Sequence, residues 1–287
     1  MITAGWKLTF LGTAASAITI TRNPTTMLFT LGNKHVLFEC PEGTTRRLLE
    51  TGIDLRDIET VIISHGHNDH LIGIVTFLWQ NVLVVNRGNP LEIIAPGYVH
   101  ERIKELLRLT STPDDFISFD MHFTDIDADE PFTEHDLMDI EPEEPYPGHD
   151  VESLPGFHVT RKHAPLVHDP PARATRLDVT EQNGTPVVSL CYASDTSPCE
   201  SAVQLATGVD YLMHEATLLD EDIEHTTKYN HSTPSGAGRI AADAGAKTLV
   251  IVHYSVLLEG KEAIIEAQAA AVFEGNIIVA RDLMELP

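Results

Sequence analysis

Residues 58–73 read IETVIISHGHNDHLIG, an apolar run that ends in a burst of polar side chains. Thr60 to Ile63 are β-branched and do not alternate with charged residues, which predicts a short buried strand stopping at Ser64. His65, His67, Asp69 and His70 then arrive within six residues. In an extended turn His65 and His67 point the same way, so both imidazoles can reach one cation, while Asp69 and His70 lie a little further along. Gly66 and Asn68 suit a tight turn, and a plain polar loop is the simpler explanation. Three histidines held together without a metal would, however, repel one another once protonated. The stretch therefore predicts ligands for two metals side by side.

This His-x-His-x-Asp-His run resembles the metal signature of the metallo-β-lactamase superfamily. The resemblance implies an α/β fold, a four-layer αββα sandwich, with a dinuclear site at one edge between the two sheets.

With 287 residues, 43% of them hydrophobic, the chain is long enough for one large domain or two small ones. We read 1–287 as a single domain with an acidic insertion near 114–152. No apolar stretch reaches the roughly 20 residues of a membrane span, and Met1 to Ile20 contains a strand-like WKLTFLG with its lysine inside. Neither a signal peptide nor a membrane anchor is expected. Cys40, Cys191 and Cys199 cannot all pair and show no ligand spacing, which fits a reducing cytoplasm. Net charge is −24, much of it between Asp114 and Glu152, where Lys and Arg are missing altogether. Such a segment reads as a solvated insertion. An acidic surface repels polyanions at long range, which counts against tight nucleic-acid binding without forbidding a phosphodiester substrate.

Around the central stretch, Trp6 to Leu11 alternates as a strand, and Met27 to Thr30 with His35 to Cys40 flank Gly32-Asn33 as a hairpin. A helix opens at Glu42-Gly43-Thr44, turns Leu48 and Leu49 inward and ends at Gly52. Leu71 to Gln80 predicts a largely buried helix, Leu91 to Ala95 a strand, and Tyr98 to Leu109 a helix on which His100 is an edge residue. Strands are expected at Gly156 to His163, Thr175 to Val179 and Pro186 to Ala193. The last third alternates: helix Cys199 to Thr207, strand Val209 to Met213, helix Pro234 to Ala244, strand Thr248 to His253, helix Lys261 to Phe273 and strand Asn276 to Ala280.

Further ligands must come from distant strand ends. His158, His163 and His168 compete for the next place. His163 stands at a strand end before Ala164-Pro165, so its ring can project over the sheet edge. His158 has the opposite parity, and His168, in a Pro-rich loop, is the rival. Asp195 tips the strand Val187 to Cys191, where a carboxylate can bridge two cations. An N-cap role for Asp195 is the alternative, although Ser197 can cap the next helix instead. His253 ends its strand as the last candidate.

A finer resemblance is to the ribonuclease Z-like branch. It is carried by Leu11-Gly12-Thr13, Glu42-Gly43-Thr44 with Arg46 and Arg47, the His65 to His70 motif, Ser194-Asp195-Thr196, His214-Glu215-Ala216-Thr217, His231-Ser232-Thr233 and His253-Tyr254-Ser255. By position the resemblance implies one metal on His65, His67, His163 and Asp195, and another on Asp69, His70, Asp195 and His253. It also implies His231 as the phosphate contact and proton donor, with Glu215 orienting it. His231 is equally a residue placed before a helix capped by Ser232 or Thr233. Two features depart from the branch: no long basic arm is visible, and its usual Arg-Tyr after His253-Tyr254-Ser255 is replaced by Val256-Leu257.

The expectation is a cytoplasmic hydrolase using two divalent ions, zinc with manganese or iron as alternatives. Its substrate is a phosphodiester of modest size, cleaved by a site in which Asp69, His231 and Glu215 take part. One alternative is tRNA 3′-end cleavage, with Arg46, Arg47, Arg161, Lys162, Arg173 and Arg176 as a basic rim. The other is lactone or thioester hydrolysis. A redox di-iron protein would want a carboxylate where His67 stands. No membrane partner is expected, and a homodimer is implied by the resemblance alone.

Overall fold

The computed structural model describes residues 5–113, 115–141 and 156–287. In chain order the first half contains β1 (Trp6–Gly12), β2 (Ala14–Ala15), β3 (Thr26–Leu31), β4 (Lys34–Phe38), α1 (Thr44–Thr51), β5 (Ile58–Ile62), α2 (Asn68–Leu71), α3 (Ile74–Gln80), β6 (Leu91–Ala95), α4 (Gly97–Leu109) and β7 (Met121–Asp125). The second half contains β8 (His135–Ile140), β9 (Phe157–Pro165), β10 (Arg173–Glu181), β11 (Pro186–Ala193), α5 (Glu200–Leu205), β12 (Tyr211–Glu215), α6 (Ile223–Lys228), α7 (Pro234–Ala244), β13 (Thr248–Val252), β14 (Tyr254–Ser255), α8 (Glu262–Ala270), β15 (Asn276–Val279) and β16 (Glu285–Leu286).

Two seven-stranded sheets result, in the orders β16-β1-β3-β4-β5-β6-β7 and β15-β13-β12-β11-β10-β9-β8. Their facing sides share one core, in which Phe10, Phe29, Val36 and Ile62 meet Val159, Leu177, Leu190 and Val252. Leu48, Ile74, Phe77, Val99 and Ile103 from α1, α3 and α4 cover the outer face of the first sheet. Ala202, Leu205, Ile240, Ala241 and Ile265 from α5, α7 and α8 cover that of the second. The layers therefore run helix, sheet, sheet, helix, as a chain must when each strand has one face for either core.

Several expectations need correction. On α1 Leu48 is buried, but Leu49 is 50% exposed, because neighbours in sequence lie about 100° apart on a helix. The helix foreseen over 71–80 is broken at Ile72-Gly73. A Cβ on Gly73 would sit 1.8 Å from the Pro41 carbonyl oxygen, so only glycine lets the chain pass there. Parts of the acidic segment are strands rather than an excursion: β7 pairs with β6 and β8 with β9, each finishing one sheet. Residues 142–152 of that segment lie outside the described residues. Ser197 caps nothing, since α5 starts later, with Cys199 at its N-cap.

Parallel strands β4, β5, β6 and β7 end at one edge of the first sheet, and parallel β11, β12 and β13 end at one edge of the second. The loops leaving β5, β11, β12 and β13 carry His65, Asp195, Thr217 and His253 respectively. The site therefore grows from strand ends, where the backbone is free to turn while the sheets stay rigid.

Candidate metal centre

The loop after β5 is pinned from several sides. Ile63 N–H donates to Ile94 O at 2.9 Å, Ser64 N–H to Glu39 Oε2 at 3.2 Å, and the Tyr98 hydroxyl receives Gly66 N–H at 3.0 Å. His70 O accepts Cys40 N–H at 2.8 Å. Within this frame His65 Nε2 and His67 Nδ1 lie 3.0 Å apart, and His168 Nε2 lies 3.2 Å from His67 Nδ1. Asp195 Oδ2 is 3.9 Å from His65 Nε2 and 4.0 Å from His168 Nε2. Four donor atoms from three segments thus converge on one point.

A second group adjoins it. Asp69 Oδ2 is 3.7 Å from His70 Nε2 and 3.3 Å from His253 Nε2. Asp195 reaches this group too, with Oδ2 3.5 Å from His70 Nε2 and Oδ1 3.3 Å from His253 Nε2. Its two oxygens therefore face both groups, as a bridging carboxylate would.

The outer partners set which nitrogens are free. His168 Nδ1 donates to Asn230 O at 3.1 Å, leaving a bare Nε2 on the neutral ring. His65 Nδ1 lies 2.9 Å from Ser64 Oγ, and Ser16 N–H donates to Asp69 Oδ2 at 2.8 Å. His70 Nδ1 is 3.3 Å from Oε1 of the fully buried Glu39. Burial, and then the charge of neighbouring His70, pushes the His65 pKa well down; burial also lowers those of His67 and His168. Neutral imidazoles are what a metal requires. Burial opposes ionisation of Asp195 and Asp69, yet the surrounding histidines hold both below the usual carboxylate range.

The donor set fits a divalent ion. Nε2 of His70 and Oδ1 of Asp195 are buried without a hydrogen-bond partner and face the other donor atoms, as atoms reserved for an ion would. Asp195, Glu39 and Asp69 crowd His70 and raise its pKa well above normal despite burial, so the carboxylates call for positive charge that a metal ion would supply in place of the His70 proton.

Beside the two groups stands His231, its Nδ1 2.9 Å from Glu215 Oε1. Glu215 is fully buried, and Thr196 N–H, Thr217 N–H and the Thr217 hydroxyl donate to it at 2.8, 3.2 and 2.6 Å. Against the effect of burial, the Glu215 carboxylate raises the His231 pKa to about 9. His231 Nδ1 also comes within 4.0 Å of Asp195 Oδ2, but it is already engaged by Glu215.

Comparison with known proteins gives the family. A family model described as a beta-lactamase superfamily domain matches residues 35–254. The chain belongs to the metallo-β-lactamase superfamily. Among curated relatives, ribonuclease Z of Nocardia farcinica is 31% identical over 98% of this chain and 97% of its own, and that of Methanothermobacter thermautotrophicus 30% identical over 97% and 95%. These place the chain in the ribonuclease Z-like branch of metal-dependent hydrolases. The crystal structure of the short form of human tRNase Z shares the superfamily fold with a TM-score of 0.73, at 24% identity over 98% of both chains.

Within the superfamily frame, the structure brings together His65, His67, Asp69, His70, Asp195, His253, His231 and Glu215. His163 is not among them. β9 continues past it to Pro165, which pairs with Arg173, so His163 is locked in the ladder opposite Thr175, with Nδ1 3.0 Å from Thr175 Oγ1. The chain leaves the sheet only after Pro165, and His168 takes the place at the centre. Sequence reasoning also passed over Glu39, a lone acid following the strand Lys34–Phe38, and did not single out Ser16 within the small-residue loop 14–17 that it expects near the site.

Each residue of the foreseen basic rim has an acidic neighbour, though Arg46 stays largely exposed. Arg47 pairs with Asp282 at 3.1 Å, Arg161 with Asp129 at 3.7 Å, Lys162 with Glu134 at 2.8 Å, Arg173 with Asp127, Arg176 with Asp178 at 2.8 Å, and Arg46 with Glu50 at 3.7 Å. No helix among the described residues is long and apolar enough to cross a membrane.

Proposed function

We propose that this protein hydrolyses phosphodiester bonds with two divalent ions, one on His65, His67, His168 and Asp195, the other on Asp69, His70, His253 and Asp195. Zinc is the first choice for such nitrogen and oxygen ligands, with manganese or iron as alternatives. The single observation that carries the reading is the position of Asp195, with one carboxylate facing both ligand groups at 3.3 to 4.0 Å. When bound, the ions would act as Lewis acids toward the phosphoryl oxygens and lower the pKa of a water.

The chain's own residues do the rest. Asp69 and Asp195 balance the charge, and the buried histidines exclude bulk water from one side of the phosphorus. His231 contacts the phosphate and gives its proton to the leaving oxygen; its Nδ1 is fixed by Glu215, which leaves Nε2 for that transfer. Thr217, donating to Glu215, keeps the carboxylate in place.

Substrate size follows from charge. The six basic residues nearest in mind for RNA are each paired with an acid, and the β10–β11 turn spans only residues 182–185, so nothing is inserted between His168 and Asp195 beyond a hairpin. We therefore favour a small or single-stranded phosphodiester. A second reading, tRNA 3′-end cleavage, is supported by the nearly full-length likeness to curated proteins named ribonuclease Z. A cytoplasmic setting, suggested by three unpaired thiols, and a homodimer belong to the same proposal.

The test is cleavage of a precursor tRNA with a 3′ trailer, beside a simple aryl phosphodiester, by zinc- or manganese-loaded protein, with His231→Ala as control. Turnover of the aryl diester with the tRNA untouched supports the favoured reading. Salt-sensitive cleavage of the tRNA at the start of its trailer supports the second. No turnover of either by fully loaded protein contradicts both.

A further inference from the structure

Arg22 is 5% exposed, and none of the described carboxylates lies within ion-pair distance of it. Its partners are neutral. Nη2 donates to Thr13 O at 2.8 Å and Tyr254 O at 3.0 Å, Nη1 to Ser255 O at 3.4 Å, and Nε to Thr13 Oγ1 at 3.3 Å. The guanidinium carbon sits 3.7 Å over the Tyr254 ring. Burying a cation against carbonyls is costly, so the segments it joins ought to gain something by being joined.

Both segments end at the metal centre. Residues 13–16 lead to Ser16, whose N–H donates to Asp69 Oδ2 at 2.8 Å. Tyr254–Ser255 follows directly on His253 and pairs in parallel with Ala14–Ala15. Each segment also carries a non-glycine residue in the left-handed region, Ser16 at φ 57° and His253 at φ 49°. Such conformations are strained and persist only where the surroundings over-determine them. The planar fork of Arg22, taking carbonyls from both segments at once, supplies that constraint.

We propose that Arg22 is a positioning residue for one of the two metals: it braces residues 13–16 against 254–255 and so sets Asp69 and His253 for the ion they share with His70. The inference rests on the dinuclear reading above. Segment 13–16 reaches Asp69 through the Ser16 N–H and segment 254–255 adjoins His253, while among the described residues neither hydrogen-bonds to His65, His67 or His168, so the effect is one-sided.

The test titrates chelator-stripped protein with zinc against a chromophoric competitor and resolves the two binding steps. Arg22→Lys keeps the charge without the fork, and Arg22→Met keeps only the stem; circular dichroism of the metal-free forms reports folding. His253→Ala identifies which step belongs to the Asp69 group. Arg87→Lys is the control, since Arg87 is also buried and bound to carbonyls, those of Leu55, Ile58 and Pro90 at the starts of β5 and β6, the ends opposite the ligand loops. We expect the Arg22 variants to weaken the His253-dependent step about 10- to 100-fold and leave the other unchanged, while Arg87→Lys leaves both. A folded Arg22 variant with both steps unchanged, or both weakened alike, overturns the brace. Wild-type protein that takes up only one ion contradicts the dinuclear reading itself, and the brace with it.

Discussion

His168 Nε2 lies 3.2 Å from His67 Nδ1 across a sequence separation of 101 residues. His168 Nδ1 is committed to Asn230 O, so its Nε2 lone pair points at His67 Nδ1, where either a proton on His67 or a metal ion must satisfy it. His168→Ala should therefore lower the affinity for one metal by at least about 100-fold, whereas His163→Ala should keep both and only destabilise the fold by about 1–3 kcal/mol. Zinc titration with a thermal melt of each variant checks the pair of outcomes.

His163 carries a pH signature of its own. Burial, with Arg161 and His135 nearby, lowers its pKa to about 3. Below the unfolded value of about 6.5, the unfolded chain takes up a proton that the folded one refuses until about pH 3, so stability falls as pH falls through that window. Urea melts should show the wild type losing up to ~2 kcal/mol more than His163→Leu between pH 7 and pH 5. Parallel losses would remove this role.

His231 Nδ1 and Glu215 Oε1 lie 2.9 Å apart, the pair to which proton donation is assigned in the proposed function. His231→Ala should reduce kcat about 10²- to 10⁴-fold with metal content unchanged. Glu215→Gln removes the charge that raises the His231 pKa, so the fall in rate at alkaline pH should begin at a lower pH than in the wild type. Pre-steady-state and pH–rate measurements on both variants decide this.

Gly73 is the steric gate behind the ligand loop. A Cβ there would meet Pro41 O at 1.8 Å and Cys40 O at 2.9 Å, both backbone atoms that cannot rotate away. Gly73→Ala should cost about 1–3 kcal/mol, seen as a lower Tm in the metal-free protein.

The fold and most of the residues that cluster at the candidate centre were legible because their signals are local. His65, His67, Asp69 and His70 occupy six residues, and Asp195 and His253 end apolar strands whose length sequence can judge. His168 was harder, since choosing it over His163 requires knowing that β9 pairs through to Pro165, a matter of register with β10 rather than composition. Strands β7 and β8 escaped because each has only one neighbour in its sheet, and MHFTD and HDLMDI carry the acids such an exposed edge allows. Leu49, next to Leu48, shows how adjacent apolar residues blur a helix face. Glu39 and Ser16 act through contacts that no spacing encodes, with partners 25 and 53 residues away.

The most direct test follows hydrolysis of bis(4-nitrophenyl) phosphate while zinc or manganese is added stepwise to metal-free protein, with Asp195→Asn alongside. Activity that rises only as the second equivalent binds, and is lost in Asp195→Asn, is the predicted result. Full turnover at one equivalent, or two bound equivalents with no turnover of this or any other phosphodiester, would contradict a two-metal phosphodiesterase.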